Sequence, residues 1–136
     1  VKAFYEEDYM TSAMYLVAFL EARINKLMEF PRRMSYSNKF SEQGFSQKKI
    51  EAFSNADSFL MKRYYFLDVY PSLVEFLNRL FVDGEEYKFE NNVEPPYVNR
   101  NWLLHGRSSR SIEKYECVQI LNALSMMEEI LDEEND

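Results

Sequence analysis

The residues best suited to chemistry in this 136-residue chain sit close together: Arg100, Asn101 and, four residues after the asparagine, His105, the one histidine present. A histidine titrates near pH 6.5, so it takes or returns a proton under physiological conditions. An arginine offers a planar fork of N–H donors that holds an anion and stabilises charge building on it. Asn101 precedes His105 by one helical turn, a spacing from which its amide would orient the imidazole or bind an anion. Arg100 lies about 140° from His105 around an ideal helix. The arginine must therefore reach around, or the helix must be irregular. Each residue also has a plainer reading. His105 would be a core or helix-capping histidine, Arg100 the ion-pair partner of a carboxylate on another helix, and Asn101 a capping or interhelical hydrogen-bonder.

Charge singles out the same stretch. The formal net charge is −7, which by itself argues against a general nucleic-acid binder, because phosphate affinity comes from Lys and Arg displacing counterions. Yet between Tyr97 and Lys114 four cations (Arg100, Arg107, Arg110 and Lys114) face Glu113 alone, a local charge of +3 that leaves −10 elsewhere. Acid gathers instead at Glu6-Glu7-Asp8 and from Glu128 to Asp136. Arg107 and Arg110 either track a nucleic-acid backbone or are solvated loop charges. Tyr97 either stacks on a base or packs in a turn, and Trp102, Leu103 and Leu104 read as core.

The elements that must position these residues are helices. Met10, Ala13, Val17, Leu20, Ile24 and Leu27 recur at steps of three and four, one apolar stripe on a helix that Pro31 ends. Residues 32–47 read as a polar loop around Gly44. A second stripe, Ile50, Phe53, Ala56, Leu60, Tyr64 and Leu67, runs to Pro71, where a kink or break is expected. Leu73, Leu77, Leu80 and Phe81 continue the pattern to an Asp83-Gly84 turn. Residues 85–96 read as a polar connector. A short helix from about Tyr97 to His105, stopped by Gly106, carries the motif. Ser111 is the expected N-cap of a last helix, with Glu113 in its first turn. That helix has Cys117, Ile120, Leu121, Leu124, Met127 and Leu131 on one face and an acidic end expected to fray. The fold class is all-α, an up-and-down bundle of four main helices plus a short motif-bearing helix.

Composition agrees. Hydrophobic residues make up 46% and aromatics 16%, too apolar for disorder. Three glycines and four prolines leave few breaks. One domain over residues 1–136 is expected, and a start at Val1 rather than Met suits a domain excised from a longer protein. The longest apolar run, Ala13 to Leu20, falls far short of the roughly 20 residues needed to span a bilayer. No basic segment with an apolar run opens the chain, so no signal peptide is expected. The lone Cys117 reads as a small buried hydrophobe that needs no oxidising compartment, and a cytoplasmic location follows as the default. With one His and one Cys, no zinc site of ordinary ligands is expected.

The run Asn99-Arg100-Asn101-Trp102-Leu103-Leu104-His105-Gly106-Arg107 resembles the signature of HEPN domains. There an Arg and a His stand four to six residues apart, often with a polar residue after the Arg. The flanking Asn-Arg and Gly-Arg are similar to the form seen in many bacterial defence-associated members. The late position of the motif in a helical chain of this length agrees. The resemblance implies a metal-independent endoribonuclease without a cofactor, acting on RNA in defence, growth control or toxin–antitoxin settings. Its catalytic residues would be Arg100, Asn101 and His105, with RNA also met by Arg107 and Arg110. It implies a homodimer with the two motifs in a shared cleft, no membrane, and room for an inhibitory protein partner. A single histidine per chain points the same way, since a two-histidine mechanism would need a second copy. The alternative is a non-catalytic HEPN-fold module for dimerisation or RNA docking within a larger protein. A protein-binding helical adaptor unrelated to RNA is the third reading. Many family members keep an acidic residue near the motif on an earlier helix, and Glu21, Asp68 and Glu75 are the counterparts open here.

Overall fold

A computed structural model describes residues 2–27, 70–81 and 85–132, and among these the regular elements are all helical, with no strand. The chain, read above as one domain, divides into two compact units: residues 1–29 with 83–136, and residues 30–82. The second helical stretch at 47–67, the loop before it, the stop at Pro31 and the Asp83-Gly84 turn lie outside the described residues.

In the first unit, α1 (Lys2–Tyr5) and α2 (Tyr9–Leu27) are separated by a turn in which Glu7 adopts φ 62°. Asp8 then starts α2. Its Oδ1 accepts the Thr11 N–H at 3.1 Å and its carbonyl accepts the Ser12 N–H, which supplies partners for donors that a helix start leaves orphaned. The expected stripe is the buried one, with Ala13, Val17, Leu20 and Ile24 fully inside. It packs along α5 (Lys114–Asp132), the last helix, and α2 also touches α1 and α4 (Arg100–Leu104).

The buried face of α5 is Cys117, Ile120, Ala123, Leu124 and Met127. Leu121, expected on that face, is 39% exposed. At 100° per residue it falls about 100° from the middle of the face, whereas Ala123 falls inside it. Cys117 is buried as expected, its thiol pointing at the Tyr9 carbonyl at 3.4 Å. Burial pushes that thiol up from its ordinary pKa.

One expectation about α5 is corrected. Ser111 is not its N-cap: the helix starts at Lys114, and the Glu113 carbonyl accepts the first helical N–H groups, those of Glu116 and Cys117. Of the acidic end expected to fray, residues 128–132 are helical, with Glu128 2.7 Å from Arg23 of α2, and residues 133–136 lie outside the described residues. That ion pair sets a charge of α2 against one of the acids that repel each other along α5.

The second unit contributes α3 (Tyr70–Phe81) to the described residues. Pro71 is its second residue, in the first turn, where a missing N–H removes no helical bond. The residues before Tyr70 are outside the described set, so the expected break is not visible. Leu73, Leu77, Leu80 and Phe81 are buried as the spacing requires.

Between residues 85 and 96 the chain is more structured than a polar connector. Two 3-10 turns, Glu85–Tyr87 and Phe89–Asn91, end at Asn92 in the left-handed region, and Pro95 is fully buried. These turns deliver an aromatic ring and a backbone carbonyl to the motif helix.

Candidate functional site

Helix α4 is a five-residue element with a well-made cap at each end. Asn99, extended and buried, accepts the N–H groups of Asn101 (3.0 Å) and Trp102 (3.4 Å) on its side-chain oxygen, so the helix starts three residues later than Tyr97. At the other end Gly106 sits at φ +66°, donating its N–H to the Leu103 carbonyl, while Arg107 donates to the Trp102 carbonyl at 2.9 Å. This paired 5→2 and 6→1 pattern is a Schellman motif with glycine at its left-handed position. The expected stop at Gly106 is therefore where the chain reverses, and Arg107 is the first side chain after the reversal.

The middle of the motif is structural. Trp102 and Leu103 are buried and Leu104 is half-buried. The indole N–H donates to the Tyr87 carbonyl at 2.8 Å, and the Trp102 ring meets Phe89 edge-to-face at 5.3 Å. Tyr97 packs edge-to-face on Tyr87 at 6.0 Å, in line with its turn-packing reading.

Arg100 points towards α2. Its Nε donates to Glu21 Oε2 at 3.0 Å and its Nη2 to Glu21 Oε1 at 2.9 Å, while Nη1 donates to Asn101 Oδ1 at 2.9 Å. This is the fork-on-fork geometry of a strong arginine–carboxylate pair. The side chains are only 26% and 16% exposed, so solvent screens the pair weakly. Of the three acids left open by sequence, Glu21 meets Arg100. Glu75 pairs with Arg79 one turn along α3, and Asp68 lies outside the described residues.

His105 is the C-cap of α4, exposed, with its backbone N–H directed at the Asn101 carbonyl. Its imidazole and Phe89 pack edge-to-face, centroids 5.5 Å apart at 74°. Among the described residues no side chain hydrogen-bonds that imidazole. Arg107, also exposed, lays its guanidinium over the same Phe89 ring at 4.5 Å, a cation–π distance. The motif thus splits into two groups. Arg100 and Asn101 are joined to Glu21, and His105 joins Arg107 around Phe89. The roughly 140° separation around the helix is not bridged within one chain: Arg100 reaches Glu21, and Asn101 supports that arginine.

Compared with family models, with curated proteins and with solved structures, the chain matches none. What the site can do therefore rests on its own geometry.

The loop after the motif is tied down by two carboxylates that sequence reasoning did not select. Glu94 accepts the Ser108 hydroxyl, the Ser109 N–H at 2.8 Å and the Ser109 hydroxyl at 3.0 Å. Burial acts to raise the Glu94 carboxyl, but these bonds, with one from the Arg110 backbone, hold it below its ordinary pKa. Glu116, almost fully buried, accepts the Glu113 N–H at 2.9 Å and Arg110 Nη2 at 2.6 Å; Arg110 also reaches the Pro96 carbonyl at 3.4 Å. Arg110 is thus engaged in pinning the loop to the start of α5. Two of the four cations in the basic island carry bonded carboxylate partners, one of them 79 positions away. Among the described residues, no helix is long and apolar enough to cross a membrane, and no cluster of three metal-binding side chains occurs.

Proposed function

We propose that this chain is a metal-independent endoribonuclease resembling HEPN domains, with a four-helix up-and-down bundle as its scaffold, acting on RNA as a homodimer in the cytoplasm. The observation that carries the reading is the exposed His105 imidazole at the end of a doubly capped helix, free of any hydrogen-bonding side chain among the described residues. A proton-transfer group must be open to substrate and held by a rigid element. In the proposed reaction a ribose 2′-oxygen attacks the adjacent phosphorus and gives its proton to one imidazole. The P–O5′ bond breaks, and the 5′-oxygen takes a proton from a second, protonated imidazole. The products are a 2′,3′-cyclic phosphate and a 5′-hydroxyl, with no water or metal consumed. One histidine per chain means that the second imidazole comes from a second copy. Defence or toxin–antitoxin activity, with an inhibitory protein partner, is the setting that the resemblance implies.

The test is cleavage of total RNA in the presence of EDTA by wild type and His105→Ala. A loss of roughly 10²–10⁴-fold is expected for removal of a general acid–base group. Equal cleavage by both proteins would overturn the reading.

The Arg100–Glu21 pair favours a second reading. An arginine whose fork already grips a carboxylate is less available to a phosphate, which suits a non-catalytic module of the same fold that docks RNA or dimerises. Binding of RNA without cleavage under any condition would support it.

A further inference from the structure

Three arginines lie in or just after the motif, and their surroundings differ. The Arg100 fork faces Glu21 and Asn101. The Arg110 guanidinium is 2.6 Å from buried Glu116 and only 22% exposed. Arg107 is exposed and, among the described residues, meets no carboxylate. From these contrasts we infer that Arg107, propped on the Phe89 ring beside His105, is the phosphate-holding cation of this site, and that Phe89 is the positioning residue that sets it. The inference rests on the proposed RNA reading and deepens it by assigning the phosphate contact.

The geometry for this is local and rigid. The Schellman turn directs the chain back at Gly106, so the Arg107 backbone is bonded to the Trp102 carbonyl. Trp102 is itself buried and bonded to the Tyr87 carbonyl. Phe89 packs edge-to-face with Trp102 and with His105, and the Arg107 guanidinium lies over its ring. A guanidinium lying on a ring keeps its N–H edge directed outwards, and stacking removes rotamer freedom that a free arginine would lose on binding. A phosphodiester seated against that edge would lie beside the imidazole. An unpaired guanidinium also displaces counterions when it meets a phosphate, whereas one already bonded to a carboxylate gains less net charge neutralisation.

The experiment uses the full chain and a short RNA oligonucleotide with 2′-O-methyl riboses, which binds but is not cleaved. Fluorescence anisotropy reads affinity, and the single imidazole gives an NMR signal that reports directly on His105. Wild type is expected to bind with a shift of the His105 resonances. Arg107→Ala is expected to weaken binding about tenfold and lower the salt slope by about one. Arg107→Lys, which keeps a charge but loses the flat stacking face, recovers only part of it. Phe89→Leu behaves like Arg107→Lys, and Phe89→Tyr, which keeps the ring, restores wild-type binding. The second aromatic variant guards against reading a packing defect as a lost platform.

Wild-type affinity in Arg107→Ala would overturn the assignment, as would failure of wild type to bind. Full affinity in both Arg107→Lys and Phe89→Leu would overturn the platform role of Phe89. Cleavage activity is scored separately. Binding with this pattern but without cleavage leaves the inference standing and removes the nuclease reading. Cleavage that depends on His105, with binding indifferent to Arg107, removes the inference alone.

Discussion

Glu21 and Arg100, 79 residues apart in sequence, are joined by two hydrogen bonds of 3.0 and 2.9 Å. The pair links the 19-residue helix α2 to the motif helix, and both side chains are largely shielded from water. It decides which way the motif arginine faces, away from the imidazole that follows it by five residues.

Removing one partner would leave the other's charge partly buried and without its fork. Glu21→Gln is expected to lower stability by roughly 1–3 kcal/mol, read by urea denaturation. A double-mutant cycle with Arg100→Gln should give a coupling of the same order. Additive effects would show that the bidentate geometry contributes nothing beyond each residue's own packing.

Arg110 and Glu116 form a more deeply buried pair, with Glu116's side chain only 4% exposed. Glu116 also accepts the Glu113 N–H at the start of α5. Its replacement by Ala therefore removes a helix-start acceptor and strands a guanidinium, and a loss of about 3–5 kcal/mol is expected. Thermal unfolding monitored by circular dichroism measures it. A change within about 0.5 kcal/mol, the range of ordinary surface substitutions, would contradict this account.

Gly106 tests the reversal after the motif. Nothing lies within 4 Å of the position a Cβ would take, so Gly106→Ala meets no clash. The penalty comes from the backbone alone, because φ +66° is disfavoured for an L side chain. An expected cost of about 1–2 kcal/mol follows. Gly106→Asn, which tolerates this region better, should recover part of it in the same melt.

Glu94 makes stability depend on acid. Its folded-state carboxyl lies below the ordinary value of 4.5, so in the window just under that value the unfolded chain binds more protons. Its contribution is complete above about pH 4.5 and is lost as pH falls through the folded value. Chemical denaturation across pH 3 to 6 in wild type and Glu94→Gln checks this. The variant should show a shallower fall in stability on the acid side, and identical profiles would remove Glu94 from the account.

Much of the local architecture was legible residue by residue. The 3.6-residue spacing of Ala13, Val17, Leu20 and Ile24 and of Leu73, Leu77 and Leu80 marks buried stripes, because helical geometry alone puts those positions on one face. Gly106 was readable as a stop because only glycine takes a left-handed C′ position without penalty. Ser111 reads as the start of α5 because a serine hydroxyl is a good cap in general, whereas in the fold buried Glu116 reaches back to the Glu113 N–H instead. Phe89 is not legible in the sequence for a related reason: an aromatic in a polar connector carries no periodic signal.

By itself, then, the sequence determined the all-α class of the described residues, the buried stripes of α2 and α3, the motif helix and its glycine stop. These depend on interactions within a few residues, whose geometry the backbone dictates. Tertiary structure alone decided that Arg100 answers to Glu21, Arg110 to Glu116, and Arg107 to the face of Phe89. The island of positive charge counted along the chain is smaller in space, because charges are cancelled by whatever packing brings near and not by neighbours in sequence. Which arginine remains open to an anion is therefore set by helix packing and loop closure.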